Sequence, residues 1–160
     1  MERKGATLIE ILVGIAVLGI VFSGLGYASF RDFTRRQGVE NSYRNLLSDL
    51  RFAQKDSSAG RKPAGCIGVL NGYSFGVSSC SSGKCSSYTI SALCSGSSPV
   101  NVNQVNLSSG ITLGSVSTFT FKSLLQGTSL ATGQVVNLVL TDPTGAITRT
   151  ITVSDTGEIK

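Results

Sequence analysis

Four cysteines are the residues of this chain whose type and spacing point most directly to covalent chemistry. They lie in one Ser/Gly-rich stretch and are Cys66, Cys80, Cys85 and Cys94. A zinc site usually presents paired CxxC spacings with supporting histidines, whereas this chain has neither. An even number of cysteines downstream of a long apolar segment instead predicts disulfides formed outside the cytoplasm, and we expect no metal.

The pairing of these cysteines is open at the level of sequence. Cys80 and Cys85 flank Ser-Ser-Gly-Lys and could staple that loop, which would leave Cys66 for Cys94. If Asn71-Gly72 closes a hairpin, however, Cys66 lies at the far end of that hairpin from Cys94, and a disulfide needs Cα atoms within about 7 Å. Cys66 with Cys80, and Cys85 with Cys94, is therefore the alternative.

The remaining polar residues do not form a catalytic set. The chain has no histidine, which excludes a Ser–His triad or a histidine base. The acids of the C-terminal region are Asp142, Asp155 and Glu158, each beside turn residues, where a capping or turn role is expected. There is no phosphate-binding glycine loop and no metal-ligand spacing, so we expect neither an enzyme nor a bound cofactor.

The N-terminal segment carries the strongest signal. Arg3 and Lys4 precede a run in which no residue from position 11 to position 30 is charged. A helix of that length covers the ~30 Å hydrocarbon core of a bilayer at about 1.5 Å per residue, whereas a secretory signal peptide has only about 7–15 apolar residues. The run therefore predicts a membrane span whose positive end stays in the cytoplasm.

Glu10 distinguishes a plain anchor from a helix that assembles with copies of itself. A carboxylate in an apolar helix costs about 2.5–3.5 kcal/mol at the bilayer centre and less near the interface, and an anchor gains nothing from it. Cleavage of the chain after Gly5 would create a new α-amine at Ala6, which can pair with Glu10 of a neighbouring helix. The alternative is that Glu10 simply lies at headgroup depth.

The sequence Gly5-Ala6-Thr7-Leu8-Ile9-Glu10, behind a short basic leader and before an uncharged run, resembles the processing motif of type IV pilins and type II secretion pseudopilins. The resemblance implies that a prepilin peptidase cuts after Gly5, that Ala6 becomes an N-methylated terminus and that Glu10 is needed for assembly. Ala6 stands where most members have Phe. The resemblance also implies an inner-membrane protein with its head outside the cytoplasm, later part of a pilus or pseudopilus. Its partners would be membrane lipid before assembly, other pilin or pseudopilin subunits, and an inner-membrane assembly platform.

The elements behind the motif follow from hydrophobic periodicity. Apolar residues recur every three or four positions beyond the uncharged run, which predicts an amphipathic continuation of the helix; they are Val39, Tyr43, Leu46, Leu50 and Ala53. Gly60 and Pro63 favour its end. We therefore predict a leader (1–5), a transmembrane or filament-core helix (6–30), an amphipathic helix (31–62) and a β-rich head (63–160).

The head has the pattern of an antiparallel sheet. Asn71-Gly72 between two apolar runs predicts a hairpin with strands 66–70 and 73–77. Further strands are predicted at 87–93, 110–113, 117–122, 134–141 and 147–154, with a turn at 142–145 and solvent-facing connections at 78–86 and 95–106. The predicted fold class is α+β, a long N-terminal α-helix packed on a C-terminal antiparallel β-sheet, as in pilins. The order of elements in residues 110–160 is similar to the GspH/FimT minor pilins and pseudopilins.

Three functions compete on this evidence. The first is a structural subunit, a minor pilin or pseudopilin, built into a filament through its N-terminal helix. The second is a DNA-binding minor pilin, since members of the FimT-like group can bind DNA; the candidate cations are Arg31, Arg35, Arg36, Arg61 and Lys62. The net charge of +5 is mild for a nucleic-acid surface, which favours the structural role. The third is a plain anchored protein that is never processed.

Overall fold

The chain divides into two compact units, Met1–Arg36 and Gln37–Lys160. The computed structural model describes residues 8–124 and 126–160, without the side chains of residues 21–29. One long helix and seven strands are present among those residues. Their bounds are α1 Leu8–Ser58, β1 Leu70–Ser81, β2 Lys84–Cys94, β3 Val100–Asn106, β4 Thr112–Gly114, β5 Phe119–Lys122, β6 Val135–Thr141 and β7 Thr148–Ser154.

The second unit uses the C-terminal part of α1 as one wall of its core. The predicted apolar stripe is confirmed, because Val39, Leu46, Leu50 and Ala53 are buried while Tyr43 is partly buried. Residues three and four apart share one face of a helix, and here that face packs on buried strand residues. Burying a large aliphatic side chain contributes about 1.5–3 kcal/mol relative to leaving it exposed.

The end of α1 is set by the predicted glycine. Gly60 has a positive φ of 62°, its N–H donates to the carbonyl of Ser57 at 3.1 Å, and the N–H of Arg61 donates to the carbonyl of Asp56 at 2.9 Å. This pair of bonds is a Schellman motif, which satisfies carbonyls that would otherwise lack partners at the end of the helix. Glycine takes this backbone conformation without steric cost.

The strands form one antiparallel sheet. Its order is β5-β1-β2-β4-β6-β7, and β3 pairs with β2 away from that path. The core lies between the sheet and the helix of the second unit, and its largest buried side chains include Tyr73, Phe75, Tyr88, Phe119 and Phe121. The α+β class, a helix packed on an antiparallel sheet, is as predicted and is consistent with a pilin fold.

The predicted hairpin at Asn71-Gly72 is wrong. β1 runs through these residues, and the turn to β2 is at Ser82 and Gly83, whose φ angles are 50° and 76°. Gly72 serves another purpose: a Cβ at that position would fall on the carbonyl oxygen of Phe121 in the adjacent strand. The predicted connection at 78–86 is therefore mostly strand, with Ser81 paired to Lys84 across a two-residue turn that fits positive φ.

The predicted connection at 95–106 is also wrong in its second half, because Val100–Asn106 is a strand. Its three valines, at positions 100, 102 and 105, are partly buried against the core. Their alternation with polar residues is interrupted after Val102, where the pairing with β2 has a register shift. The low β-propensity of asparagine hid this pattern from the sequence prediction. The remaining predicted strands match β2, β4, β5, β6 and β7 to within a few residues at each end.

The turn predicted at residues 142–145 is confirmed, since the N–H of Gly145 donates to the carbonyl of Asp142 at 3.1 Å. The carboxylate of Asp142 accepts from the N–H of Ile147 at 3.0 Å and from the hydroxyl of Thr144. These hydrogen bonds, led by that from Ile147, lower the pKa of Asp142 to about 2. Its role is to hold the turn between β6 and β7.

Candidate processing and assembly segment

The structure describes the predicted assembly residue, Glu10, but not the predicted cleavage junction. Gly5 and Ala6 lie outside the described residues. Glu10 lies in the first turn of α1 and is exposed. A negative charge there is favourable to the helix itself, because the first turn carries the positive end of the helix dipole.

The surface around Glu10 is apolar on every side of the helix. Between positions 8 and 20 the aliphatic side chains are more than half exposed, and they are Leu8, Ile9, Ile11, Leu12, Val13, Ile15, Val17, Leu18 and Ile20. A helix that is apolar all round is buried in a membrane or among other helices. At Gly14 and Gly19 an added Cβ would meet no atom within 4 Å, so nothing in the described chain requires glycine at either position.

Part of the predicted membrane span, residues 6–30, lies outside the described residues: residues 6 and 7 and the side chains of residues 21–29. In the part of the chain that the structure describes, no helix has the length and hydropathy needed to cross a membrane.

Glu10 forms no ion pair with any residue that the structure describes. The carboxylate is therefore a lone charge on an apolar surface within this part of the chain. Covering that surface with lipid or protein would remove water from the charge, which is unfavourable unless a cation comes with the covering partner. The arrangement thus suits a contact in which a second molecule supplies a positive group close to Glu10.

The cysteines form two disulfides, Cys66–Cys94 and Cys80–Cys85. The first pair becomes possible because β1 does not turn at Asn71. Leu70, at the start of β1, is paired with Cys94, at the end of β2, so the segment that precedes β1 lies beside the end of β2. The second pair joins directly opposed residues at the tip of the β1–β2 hairpin. The alternative pairing of Cys66 with Cys80 is therefore wrong.

The head offers no metal site among the described residues, where no cluster of candidate ligands occurs and all four cysteines are in disulfides. The five cations considered for DNA binding are divided between the units. Arg35 lies 3.8 Å from Asp32 in the first unit, and Lys62 donates to the carbonyl of Gly68 in the second.

Polar contacts between helix and sheet were missed by sequence reasoning. The hydroxyl of Tyr88 donates to Asp49 at 2.7 Å, and burial, followed by this carboxylate, raises the pKa of Tyr88. Glu40 pairs with Arg44 at 3.0 Å and with Arg149 of β7 at 3.2 Å. Hydrogen bonds from these two arginines lower the pKa of Glu40. Asp49 and Glu40 flank the apolar stripe of α1, but their partners depend on sheet register, which the sequence does not reveal.

The comparison with known families agrees with the N-terminal motif. Residues 1–26 match the family described as "Prokaryotic N-terminal methylation motif", the signature of type IV pilins and pseudopilins. The chain therefore carries that signature, and it lies ahead of a helix-on-sheet unit that is consistent with a pilin fold. No curated protein and no solved structure is significantly similar to the chain. The resemblance of residues 110–160 to GspH/FimT proteins stays a prediction.

Proposed function

We propose that this chain is a structural subunit, a minor pilin or pseudopilin, of a type IV pilus or type II secretion-like filament. The observation that carries the proposal is the methylation motif of residues 1–26, within which the described positions 8–20 form an apolar helical surface with Glu10 as their one carboxylate. In this account a prepilin peptidase cuts after Gly5, and Ala6 is methylated as the new N-terminus. Before assembly the subunit is held in the inner membrane by a single pass, with its head outside the cytoplasm.

Assembly then exchanges lipid contacts for helix–helix contacts. The aliphatic residues of positions 8–20 provide a surface that either environment can cover. The amine of Ala6 on one subunit meets Glu10 of its neighbour, which neutralises both charges and sets the register between the two helices. A pair of unit charges 4 Å apart interacts by about 4 kcal/mol at an effective dielectric constant near 20, enough to disfavour alternative registers.

The second unit supplies the filament surface. Its fold is held by the buried helix stripe, the sheet and two disulfides, so it does not depend on the N-terminal segment for a core. An assembly platform in the inner membrane would act on the N-terminal helix while the head stays folded. The absence of a recognisable catalytic set in the sequence agrees with a structural rather than an enzymatic role.

The test is substitution of Glu10 by Gln, which keeps the shape of the side chain and removes its charge, and by Ala. Both variants should be cleaved and inserted in the membrane as in the wild type but should be absent from sheared filaments. Glu158→Gln, a charge removed from an exposed position of the head, is the matched control and should enter filaments normally. Normal incorporation of the Glu10 variants would refute the role of this carboxylate in register.

A further inference from the structure

A short aromatic and basic segment follows the uncharged run of α1, and the assembly proposal does not use it. We call residues 30–36 the collar. Phe30 is 67% exposed and Phe33 is 62% exposed, although phenylalanine is normally among the residues that proteins bury. Arg31, Arg35 and Arg36 lie among them against a single acid, Asp32. The collar thus combines large exposed apolar surface with a positive balance of charge.

The aromatic and basic residues of the collar lie side by side on the helix. Phe30 and Phe33 are three residues apart and so share a face, Arg31 and Arg35 are four apart and share another, and Arg36, three residues after Phe33, lies beside the aromatic face. The hydroxyl of Thr34 donates to the carbonyl of Phe30 at 2.9 Å, so that polar group is satisfied within the helix. A helix segment of this kind can place its rings among acyl chains and its guanidinium groups at the level of the headgroups.

Two guanidinium groups of the collar, those of Arg35 and Arg36, have donors to offer to a ligand. Arg35 approaches Asp32 only to 3.8 Å, longer than the ~2.7–2.9 Å of a charge-assisted hydrogen bond. Arg36 is exposed and forms no ion pair with a residue in the described part of the chain. Planar guanidinium groups match the oxygens of a phosphate in a bidentate manner, which a point charge such as lysine does less well.

We propose that the collar binds the phosphate groups of anionic phospholipids on the outer face of the membrane through Arg35 and Arg36. This inference rests on the proposed function, in which the preceding residues hold the subunit in a bilayer. Two features favour lipid over a protein partner: the collar lies on the same helix as the exposed aliphatic side chains of positions 8–20, and its positive charge is opposite to that of an anionic headgroup layer, with exposed rings beside the arginines. Each arginine near such a surface contributes an attraction that salt screens.

The chain contains no tryptophan, so one introduced at the collar reports on that position alone. Phe33→Trp in the full-length protein would be reconstituted into phosphatidylcholine nanodiscs that contain a minority of phosphatidylglycerol, with bromine on the acyl chains of one lipid or the other. Bromine quenches tryptophan on contact. At equal mole fraction of brominated lipid, we expect phosphatidylglycerol to quench at least about twofold more strongly than phosphatidylcholine.

Arg35→Gln with Arg36→Gln should bring that quenching ratio to one. The matched control is Arg51→Gln with Lys55→Gln, which removes two exposed cations from the same helix within the second unit and should leave the ratio unchanged. Phe30→Trp provides a second reporter if the first does not express.

Three results would overturn the inference, and they differ in whether the proposed function is contradicted as well. Equal quenching by both lipids in the background with intact arginines would mean that the segment reaches the bilayer without selecting anionic headgroups, which leaves the proposed function standing. No quenching by either lipid would mean that the collar is not at the membrane, which contradicts both the inference and the membrane-held state. A ratio that survives the loss of Arg35 and Arg36 would assign the selectivity to other residues and also refute the proposal.

Discussion

Removal of each disulfide in turn gives a prediction whose size follows from the connectivity. The Cys66–Cys94 bond closes a sequence separation of 28 residues and the Cys80–Cys85 bond one of 5. If a disulfide acts by lowering the entropy of the unfolded chain, these loops correspond to about 3.6 and about 2.1 kcal/mol at 25 °C. The long-range bond should therefore contribute about 1.5 kcal/mol more to the free energy of unfolding.

Burial affects the two pairs to a similar degree, because each pair contains one buried member. Cys94 and Cys85 are 8% and 0% exposed, whereas Cys66 is partly buried and Cys80 is exposed, so replacing both members of a pair by alanine removes one buried sulfur in either case and part of a second only at Cys66. Neither replacement leaves a buried hydroxyl, as serine would. The difference between the two double variants thus reports mainly on loop length.

The assay is equilibrium urea unfolding of the full-length protein in detergent, followed by near-ultraviolet circular dichroism of the buried tyrosines of the second unit. We expect both double variants to unfold at lower urea than the wild type, and the Cys66→Ala/Cys94→Ala variant at the lowest. Treatment of the wild type with reductant should reproduce the sum of both effects. An equal or greater loss from the Cys80→Ala/Cys85→Ala variant would refute the entropic argument and show that the tip of the hairpin is held by its disulfide rather than by its sheet pairing.

Three further predictions concern the second unit and use the same unfolding assay. Tyr88→Phe removes a hydrogen bond to the carboxylate of Asp49; such bonds to charged groups contribute about 1.5–3 kcal/mol, and an unchanged free energy of unfolding would contradict this role. Gly72→Ala puts a Cβ well inside contact distance of a β5 carbonyl oxygen and should lower the free energy of unfolding strongly. Gly76→Ala, in the same strand but with no neighbour nearer than 3.5 Å to the added Cβ, should not. Equal effects of the two substitutions would refute the steric argument. The folded-state pKa of Asp142, about 2, is below the ~3.9 of an unfolded chain. The contribution of Asp142 to stability is therefore complete above about pH 4 and lost as the pH falls towards 2. Asp142→Asn should remove that part of the acid dependence of the free energy of unfolding. An unaltered acid dependence in this variant would contradict the stabilising role of the carboxylate.

The helix and its cap were predictable because their signals are local. A stripe with a period near 3.6 fixes which face of α1 is buried, and a glycine after the last apolar residue fixes where the helix ends. The N-terminal motif was likewise found from adjacent residues, since its glycine, its acid and its uncharged run are contiguous. None of these inferences needed knowledge of which distant segments meet.

The errors arose where two distant segments decide the role of a residue. Asn71-Gly72 has the composition of a hairpin turn, but Gly72 is glycine because the backbone of Phe121 approaches it. The misplaced turn then left the cysteine pairing open, since Cys66 reaches Cys94 only if β1 continues through Asn71. The contact between Tyr88 and Asp49 has the same origin, because it requires the position of the sheet on the helix.

The most direct test of the proposed pathway is the intact mass of the membrane-extracted protein, produced with and without an active prepilin peptidase. With the peptidase we predict the loss of residues 1–5 and the gain of one methyl group on Ala6, and without it the full-length mass. An uncleaved mass in the presence of an active peptidase, shown by its processing of a known substrate in the same cells, would contradict the proposed pathway and with it the assembly role of Glu10.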